Sequence, residues 1–284
     1  MASRVVREGT GRLRAAGMEH ARVEAEWLLS RLVGAQPLDL YLEDATLSSQ
    51  TVERFFAQIE ARASGIPLQY LLGEAEFFGA TFAVAPGVFI PRPETETIVE
   101  AALQALRPRA AALGRPLRLL DLGTGSGCIA VTMARELPSC VVVAVELSWN
   151  ALALASRNVR RHGVGARVHL VQGRWLSAVR GRVDGVISNP PYVPSAQVDH
   201  LPLDVRQEPR LSLDGGDRGM RDLRQLLDGM PDVVEPGGIV ALECGEEQVG
   251  ELVRFASEAA WVQSASPLRD LADRPRGLLI RTSW

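Results

Sequence analysis

Apolar positions recur along this chain with two different periods, and the change of period divides it. Through residue 64 the spacing is helical. In MEHARVEAEWLLSRLVG (18–34), Val23, Trp27, Leu28 and Leu32 mark the inward stripe of a helix that Gly34 ends. In SSQTVERFFAQIEARASG (48–65), Ser48 or Ser49 caps a second helix with Val52, Phe55, Phe56 and Ile59 facing inward, and Gly65 closes it. Residues 1–65 therefore read as a small helical module with polar outer faces. From 66 to 93, short apolar runs separated by glycine and proline suit a β-hairpin and an extended linker, where Pro91 and Pro93 bracket Arg92.

Beyond residue 93 short β-branched runs alternate with helical stretches. Helices are expected over 94–106, 127–136, 149–162, 219–231 and 247–259. Strands are expected over 117–123, 140–146, 167–173, 183–189, 237–244, 261–266 and 277–282. Strands alternating with helices at this length predict an α/β fold with a doubly wound, parallel, seven-stranded sheet, and place a domain over 94–284.

Composition changes this picture little. A hydrophobic content of 46% with 23% charged residues is that of a soluble globular protein, and a net charge of −3 supplies no global field for nucleic acid. All 31 basic residues are arginine, which removes lysine Schiff-base chemistry. Cys128, Cys140 and Cys244 fall in apolar runs without metal-like spacing, and His20, His162, His169 and His200 are scattered, so no metal is expected. No signal-peptide core or membrane-length apolar run stands out, and a cytoplasmic location is expected.

Candidate chemistry gathers in two places. The loop DLGTGSG (121–127) joins a strand to a helix, and its glycines let the backbone turn sharply and approach a ligand. A nicotinamide fingerprint needs another glycine where Cys128 stands, and a plain tight turn also accounts for the loop. Glu146 ends the next strand 19 positions after Gly127, where a carboxylate can accept both hydroxyls of a ribose or simply sit on a solvated rim. The Asp-x-Gly-x-Gly-x-Gly loop with this acid resembles class I methyltransferases that use S-adenosylmethionine. That resemblance implies that Gly123, Thr124, Gly125, Ser126 and Gly127 cradle the methionine and ribose. Asp121 then lies near the donor's amino end or caps the loop.

The second place is VISNPPYVP (186–194), where a strand ends on Asn189 and Pro190 and Pro191 stiffen the turn after it. Ligands of open α/β sheets bind beyond the carboxyl ends of strands, so Asn189 faces the same crevice as the glycine loop. Asn189-Pro190-Pro191-Tyr192 resembles the motif of methyltransferases acting on planar nitrogens, either base amines or side-chain amides. An amide nitrogen is a poor nucleophile because its lone pair is delocalised. The Asn189 side-chain oxygen and the Pro190 carbonyl can each accept one of its N–H groups, and Tyr192 can pack on the planar group. The main demand is in-line positioning, an effect worth up to about 7–11 kcal/mol.

Further segments narrow the choice of nitrogen. LQYLLGEAEFFG (68–79), FIPRPETE (89–96), RQEPRLSLDGG (206–216), LECGEEQ (242–248) and RDLADRPRGLLI (269–280) resemble the release-factor glutamine methyltransferases of the HemK/PrmC family, a resemblance that runs in order from about residue 20 to the C-terminus. The resemblance implies a Rossmann-like methyltransferase domain and N5-methylation of the Gly-Gly-Gln glutamine in class 1 peptide-chain release factors. S-adenosylmethionine is then the donor, leaving as S-adenosylhomocysteine, and the helical module docks the release factor. By position, Gly123–Gly127, Glu146, Trp175 and Asn189 would contact the donor, while Asn189, Pro190, Pro191 and Tyr192 would hold the glutamine. Phe89, or the Arg92–Glu94 turn, would close over the site. The family usually has Asp at Glu146 and at Arg174; donor binding is expected to persist through Trp175 and the strand backbone. Ribosomal-protein glutamine methylation and adenine N6-methylation of nucleic acid remain the alternatives, the latter disfavoured by the acidic chain. No direct nucleic-acid or membrane partner is expected.

Overall fold

The structure, a computed structural model, describes residues 2–42 and 47–283. It divides into two compact units, one running through Ala75 and including Leu201–Gln207, the other comprising Glu76–His200 and everything from Glu208.

The first unit is helical: α1 (Ala2–Ala15), α2 (Ala21–Val33), α3 (Asp39–Leu42), α4 (Ser49–Ala63) and α5 (Leu68–Leu72). The inner face of α2 differs from expectation. Ala21, Ala25, Leu28 and Leu29 are buried, whereas Val23 and Trp27 are 51% and 42% exposed. Small alanines carry the i, i+4, i+7, i+8 stripe here, so the largest apolar side chains were a misleading guide to it. In α4 the expected face holds: Ser48 Oγ accepts from Thr51 N at 3.1 Å, and Phe55 and Ile59 are fully buried, with Val52 and Phe56 packed beside them. Arg62 is buried yet fully engaged. It donates to both oxygens of Glu24 at 2.6 and 3.2 Å, to Asp204 at 3.3 Å and to the Ile66 carbonyl at 3.2 Å, which ties the 201–207 segment into this unit. α5 arises inside the stretch read as hairpin and linker, with Pro67 fixing the backbone angle at its start.

β1 (Glu74–Phe77) and β2 (Ala80–Ala83) pair as a separate two-stranded sheet. α6 (Pro93–Ala112) then opens with proline in its first turn and with Glu94 and Glu96 against its positive end. It continues six residues past the expected stop at 106. Pro108 faces solvent, and Arg109 in the added turn donates to Asp184 and to the Gly237 carbonyl, both at 3.0 Å.

The remaining elements are β3 (Leu117–Leu122), α7 (Cys128–Glu136), β4 (Cys140–Glu146), α8 (Trp149–Arg161), β5 (Val168–Gln172), β6 (Val183–Ser188), α9 (Ser195–Val198), α10 (Arg221–Val233), β7 (Val234–Glu243), α11 (Glu246–Ser257), β8 (Val262–Arg269) and β9 (Pro275–Thr282). Seven strands form one sheet in the order β5-β4-β3-β6-β7-β9-β8. The first five are parallel; β9 runs antiparallel to β7 and β8 to β9, so the sheet is mostly rather than wholly parallel. Successive side chains take opposite faces, as the pleat requires. Leu117, Leu119, Ile187, Ile239 and Ala241 pack under α6 and α7. Leu120, Leu122, Val186, Val240 and Leu242 pack under α10 and α11. Strands buried on both faces read as continuous apolar runs, which is the pattern seen in the sequence. The chain builds outward from β3 through β5 and then returns to β6 on the other side of β3. The boundary between β3 and β6 is therefore the topological switch point, where open α/β sheets bind ligands.

Candidate active site

A cavity of about 250 Å³ opens beside that switch point. Its walls include Gly123, Thr124, Gly125, Ser126, Glu146, Trp175, Asn189, Pro191 and Phe89, so the glycine loop and the Asn-Pro-Pro-Tyr tip meet in one crevice. Asp121, Gly127, Pro190 and Tyr192 adjoin these residues in sequence but are not among those that line the cavity. Gly127 caps α7, with Ala155 against its α-carbon.

The loop is held from beneath. Gly123 N and Thr124 N both donate to the Val145 carbonyl, at 2.8 and 3.1 Å. Gly125 has φ +56°, and a Cβ there would meet nothing within 4 Å, so this face of the loop borders open space. Its N–H donates to Glu146 Oε2 at 3.0 Å, while Ser148 N donates to Glu146 Oε1 at 2.8 Å. Both oxygens keep lone pairs for further donors. Asp121 is wholly buried, and its Oδ2 accepts from the Thr124 hydroxyl and from Ala130 N, the bonds of a loop cap. Its Oδ1 has no hydrogen-bond partner, and burial pushes the carboxyl up to about 7. Cys128 lines the cavity, but burial pushes its thiol up to about 12, which leaves no thiolate to react.

Trp175 has a left-handed backbone, φ +49°, unusual for a large side chain. Two contacts hold it. The ring edge lies so close to Gly123 that a Cβ there would be 3.2 Å away, and Nε1 donates to Asp222 Oδ1 at 3.1 Å. Asp222, at the start of α10, lines the same cavity and also takes the Arg221 guanidinium on Oδ2 at 2.8 Å. Arg174 approaches Asp222 Oδ1 at 3.8 Å. The wall thus carries a carboxylate next to Arg174, brought from a distant part of the chain.

Asn189 sits at the head of a buried relay. Its Nδ2 donates to Thr95 Oγ1 at 3.1 Å, Thr95 donates to Glu243 Oε2 at 2.6 Å, and the Tyr192 hydroxyl donates to Glu243 Oε1 at 3.0 Å. Thr95 and Glu243 are 2% and 1% exposed. Burial pushes Glu243 up to about 7, opposed by those two hydrogen bonds. Burial, with Glu243 beside it, holds the Tyr192 phenol well above its usual range. The segment bearing Phe89 is fixed in turn by Glu208, which accepts from Ile90 N at 2.9 Å and pairs with Arg92; the Arg92 guanidinium lies 5.0 Å from the Phe89 ring. Thr95, Asp222, Glu208 and Glu243 were not singled out from sequence. Glu243 carried a readable signal: like Glu146, it ends a parallel strand at the ligand-binding edge of the sheet.

Among the described residues no group of His, Cys, Asp and Glu could hold a metal ion, and no helix is long and apolar enough to cross a membrane. Fold and cavity together are those of a Rossmann-like domain, and its relatives make it a methyltransferase. A family model described as the PrmC N-terminal domain matches residues 4–73, and one described as the methyltransferase small domain matches 80–203. The release factor glutamine methyltransferase of Moorella thermoacetica is 41% identical over 96% of this chain and 95% of its own; that of Geobacter sulfurreducens is 44% identical over 88% and 86%. This chain belongs to the release factor glutamine methyltransferase family, and it is an enzyme. At the level of fold it is similar to a Pyrococcus furiosus methyltransferase (TM-score 0.52, 20% identity, 84% of this chain and 100% of that one). It is also similar to the hMettl16 catalytic domain (TM-score 0.56, 13% identity, 83% and 82%).

Proposed function

We propose that this enzyme methylates the N5 amide nitrogen of the glutamine in the Gly-Gly-Gln motif of class 1 release factors, with S-adenosylmethionine as donor. The observation that carries the reading is the single crevice joining the glycine loop and Glu146 to Asn189. The residues present fit such a donor. The Gly125 face of the loop has room, Glu146 keeps lone pairs for the ribose hydroxyls, and Trp175 supplies an aromatic wall. When bound, the donor supplies a methyl group on a sulfonium.

The chain's own residues then have to orient an unreactive nitrogen. The Asn189 Oδ1 and the Pro190 carbonyl accept its two N–H groups, which favours pyramidalisation and directs its lone pair into the cavity. Tyr192 steadies the planar group, and Phe89 with the Arg92–Glu94 turn screens it from water. No general base is required, because methyl transfer first gives a cationic N-methylated amide, which is strongly acidic and passes its extra proton to water. Docking of the release factor falls to the N-terminal helical module, residues 1–65, with 66–93 as the link to the catalytic domain at 94–284.

The test is incubation with methyl-labelled donor and, separately, release factor, ribosomal protein or DNA, followed by peptide mass spectrometry. Label is expected on the Gly-Gly-Gln glutamine alone and is lost in Asn189→Ala. Label on DNA or on the ribosomal protein instead, or full transfer by Asn189→Ala, refutes the reading.

A further inference from the structure

We propose that Glu243, acting through Thr95, fixes which end of the Asn189 carboxamide faces the cavity, making Glu243 and Thr95 positioning residues for methyl transfer. The inference rests on the proposed function for its catalytic consequence and on hydrogen-bond order for its structural one.

A carboxylate has no proton to give. Both hydroxyls that touch Glu243, those of Thr95 and Tyr192, must therefore donate to it. Thr95 has one proton, spent on Glu243, so toward Asn189 its oxygen can only accept. The group it accepts from is Asn189 Nδ2, at 3.1 Å. Nδ2 and Oδ1 are the two branches of one planar group, so securing Nδ2 at Thr95 leaves Oδ1 for the cavity that Asn189 lines. The acceptor needed for a substrate N–H is thus selected by a proton count two residues away. If Thr95 were released from Glu243, its hydroxyl could donate to Asn189 Oδ1. The carboxamide would then turn over and offer an NH₂ to the substrate's NH₂.

Thr95 and Glu243 are almost wholly buried, with Thr95 at the wall of the cavity and Glu243 behind it. The other charged groups acting on Glu243 are Glu94 on α6 and Arg276 on β9, themselves 3.9 Å apart, in addition to the Tyr192 phenol. Protonation of Glu243 releases one hydroxyl, and burial brings that event close to neutral pH.

The chain has three asparagines, Asn150, Asn158 and Asn189, so asparagine-selective ¹⁵N labelling resolves the Asn189 side-chain NH₂ among three pairs. The expected result is an Asn189 pair that shifts with pH in the wild-type protein and is silent in Glu243→Gln and Thr95→Val. In transfer assays at pH 8, Thr95→Val should lose roughly 10- to 100-fold in kcat with donor affinity unchanged, as a misplaced reacting group does. Thr95→Ser, which keeps the hydroxyl, should retain both. A pH-silent Asn189 pair in the wild type, or full kcat in Thr95→Val, overturns the inference. Should Thr95→Val not fold, the wild-type titration and the serine variant decide. Absence of any transfer to glutamine by the wild type would refute the proposed function, while the NH₂ titration would still decide the hydrogen-bond order.

Discussion

Asn158 on α8 is wholly buried and satisfies three backbone groups at once. Its Nδ2 donates to the Ala83 carbonyl at 3.0 Å and to the Ser126 carbonyl at 2.8 Å, and its Oδ1 accepts from Ala83 N at 2.8 Å. One amide therefore clips the glycine loop to β2. Asn158→Ala leaves an N–H and two carbonyls unpaired beside residues 1% and 2% exposed. Each such group costs about 1–3 kcal/mol, and water entering the vacated space recovers part of it, so a net loss of roughly 3–5 kcal/mol is expected. That is a large share of a typical stability of about 5–15 kcal/mol. Asn158→Asp keeps the acceptor for Ala83 N but turns its second oxygen on two carbonyls. The new carboxyl is then driven to hold a proton in the folded state, and this variant should weaken further as pH rises above about 4. Urea unfolding followed by circular dichroism and tryptophan fluorescence measures both changes, and calorimetric titration with the donor reads the state of the loop. A loss under about 1 kcal/mol at pH 7, with an unchanged urea slope, would refute the clip.

Buried acids and close backbone approaches set two further outcomes. Glu243 and Asp121 are both pushed up to about 7 by burial, so the folded protein binds more protons than the unfolded chain between about pH 4 and 7. Stability from this source is fully present below that window and is lost as pH rises through it, by a few kcal/mol in order of magnitude. Glu243→Gln should flatten part of the slope in melts from pH 5 to 8, and an unchanged slope would contradict the shift. Gly215 lies where a Cβ would come within 2.6 Å of the Pro191 carbonyl and 2.8 Å of the Tyr192 α-carbon. Gly215→Ala should displace the Asn-Pro-Pro-Tyr tip, costing about 1–3 kcal/mol of stability and most of the transfer activity; a normally active variant would show that the tip can give way.

The doubly wound sheet was legible because its central strands β3, β6 and β7 are buried on both faces and its helices carry a 3.6-residue period, and both patterns survive in a bare string of letters. The glycine loop, Glu146 and Asn189 were legible for a related reason: the chemistry of strand ends is local. The residues that escaped notice depend on pairings across long stretches of chain. Thr95 and Glu243 touch across 148 positions, and Trp175 and Asp222 across 47. The exposure of Val23 and Trp27 escaped for the opposite reason. Hydrophobicity alone ranks them as core, while Ala21 and Ala25 win the inner face by size. The last two strands were located, but periodicity carries no sign of direction, so their antiparallel course needed the ladder itself.

Ser188 Oγ donates to the Leu122 carbonyl at 2.6 Å, and Leu122 and Ser188 are direct partners in the β3–β6 ladder. One strand runs straight into the glycine loop and the other into Asn189. The placing of the glycine loop against Asn189 is thus referred to the spacing of neighbouring strands, about 4.8 Å, and not to the reach of peripheral loops. Peripheral segments can lengthen, shorten or change composition while that gauge stays constant.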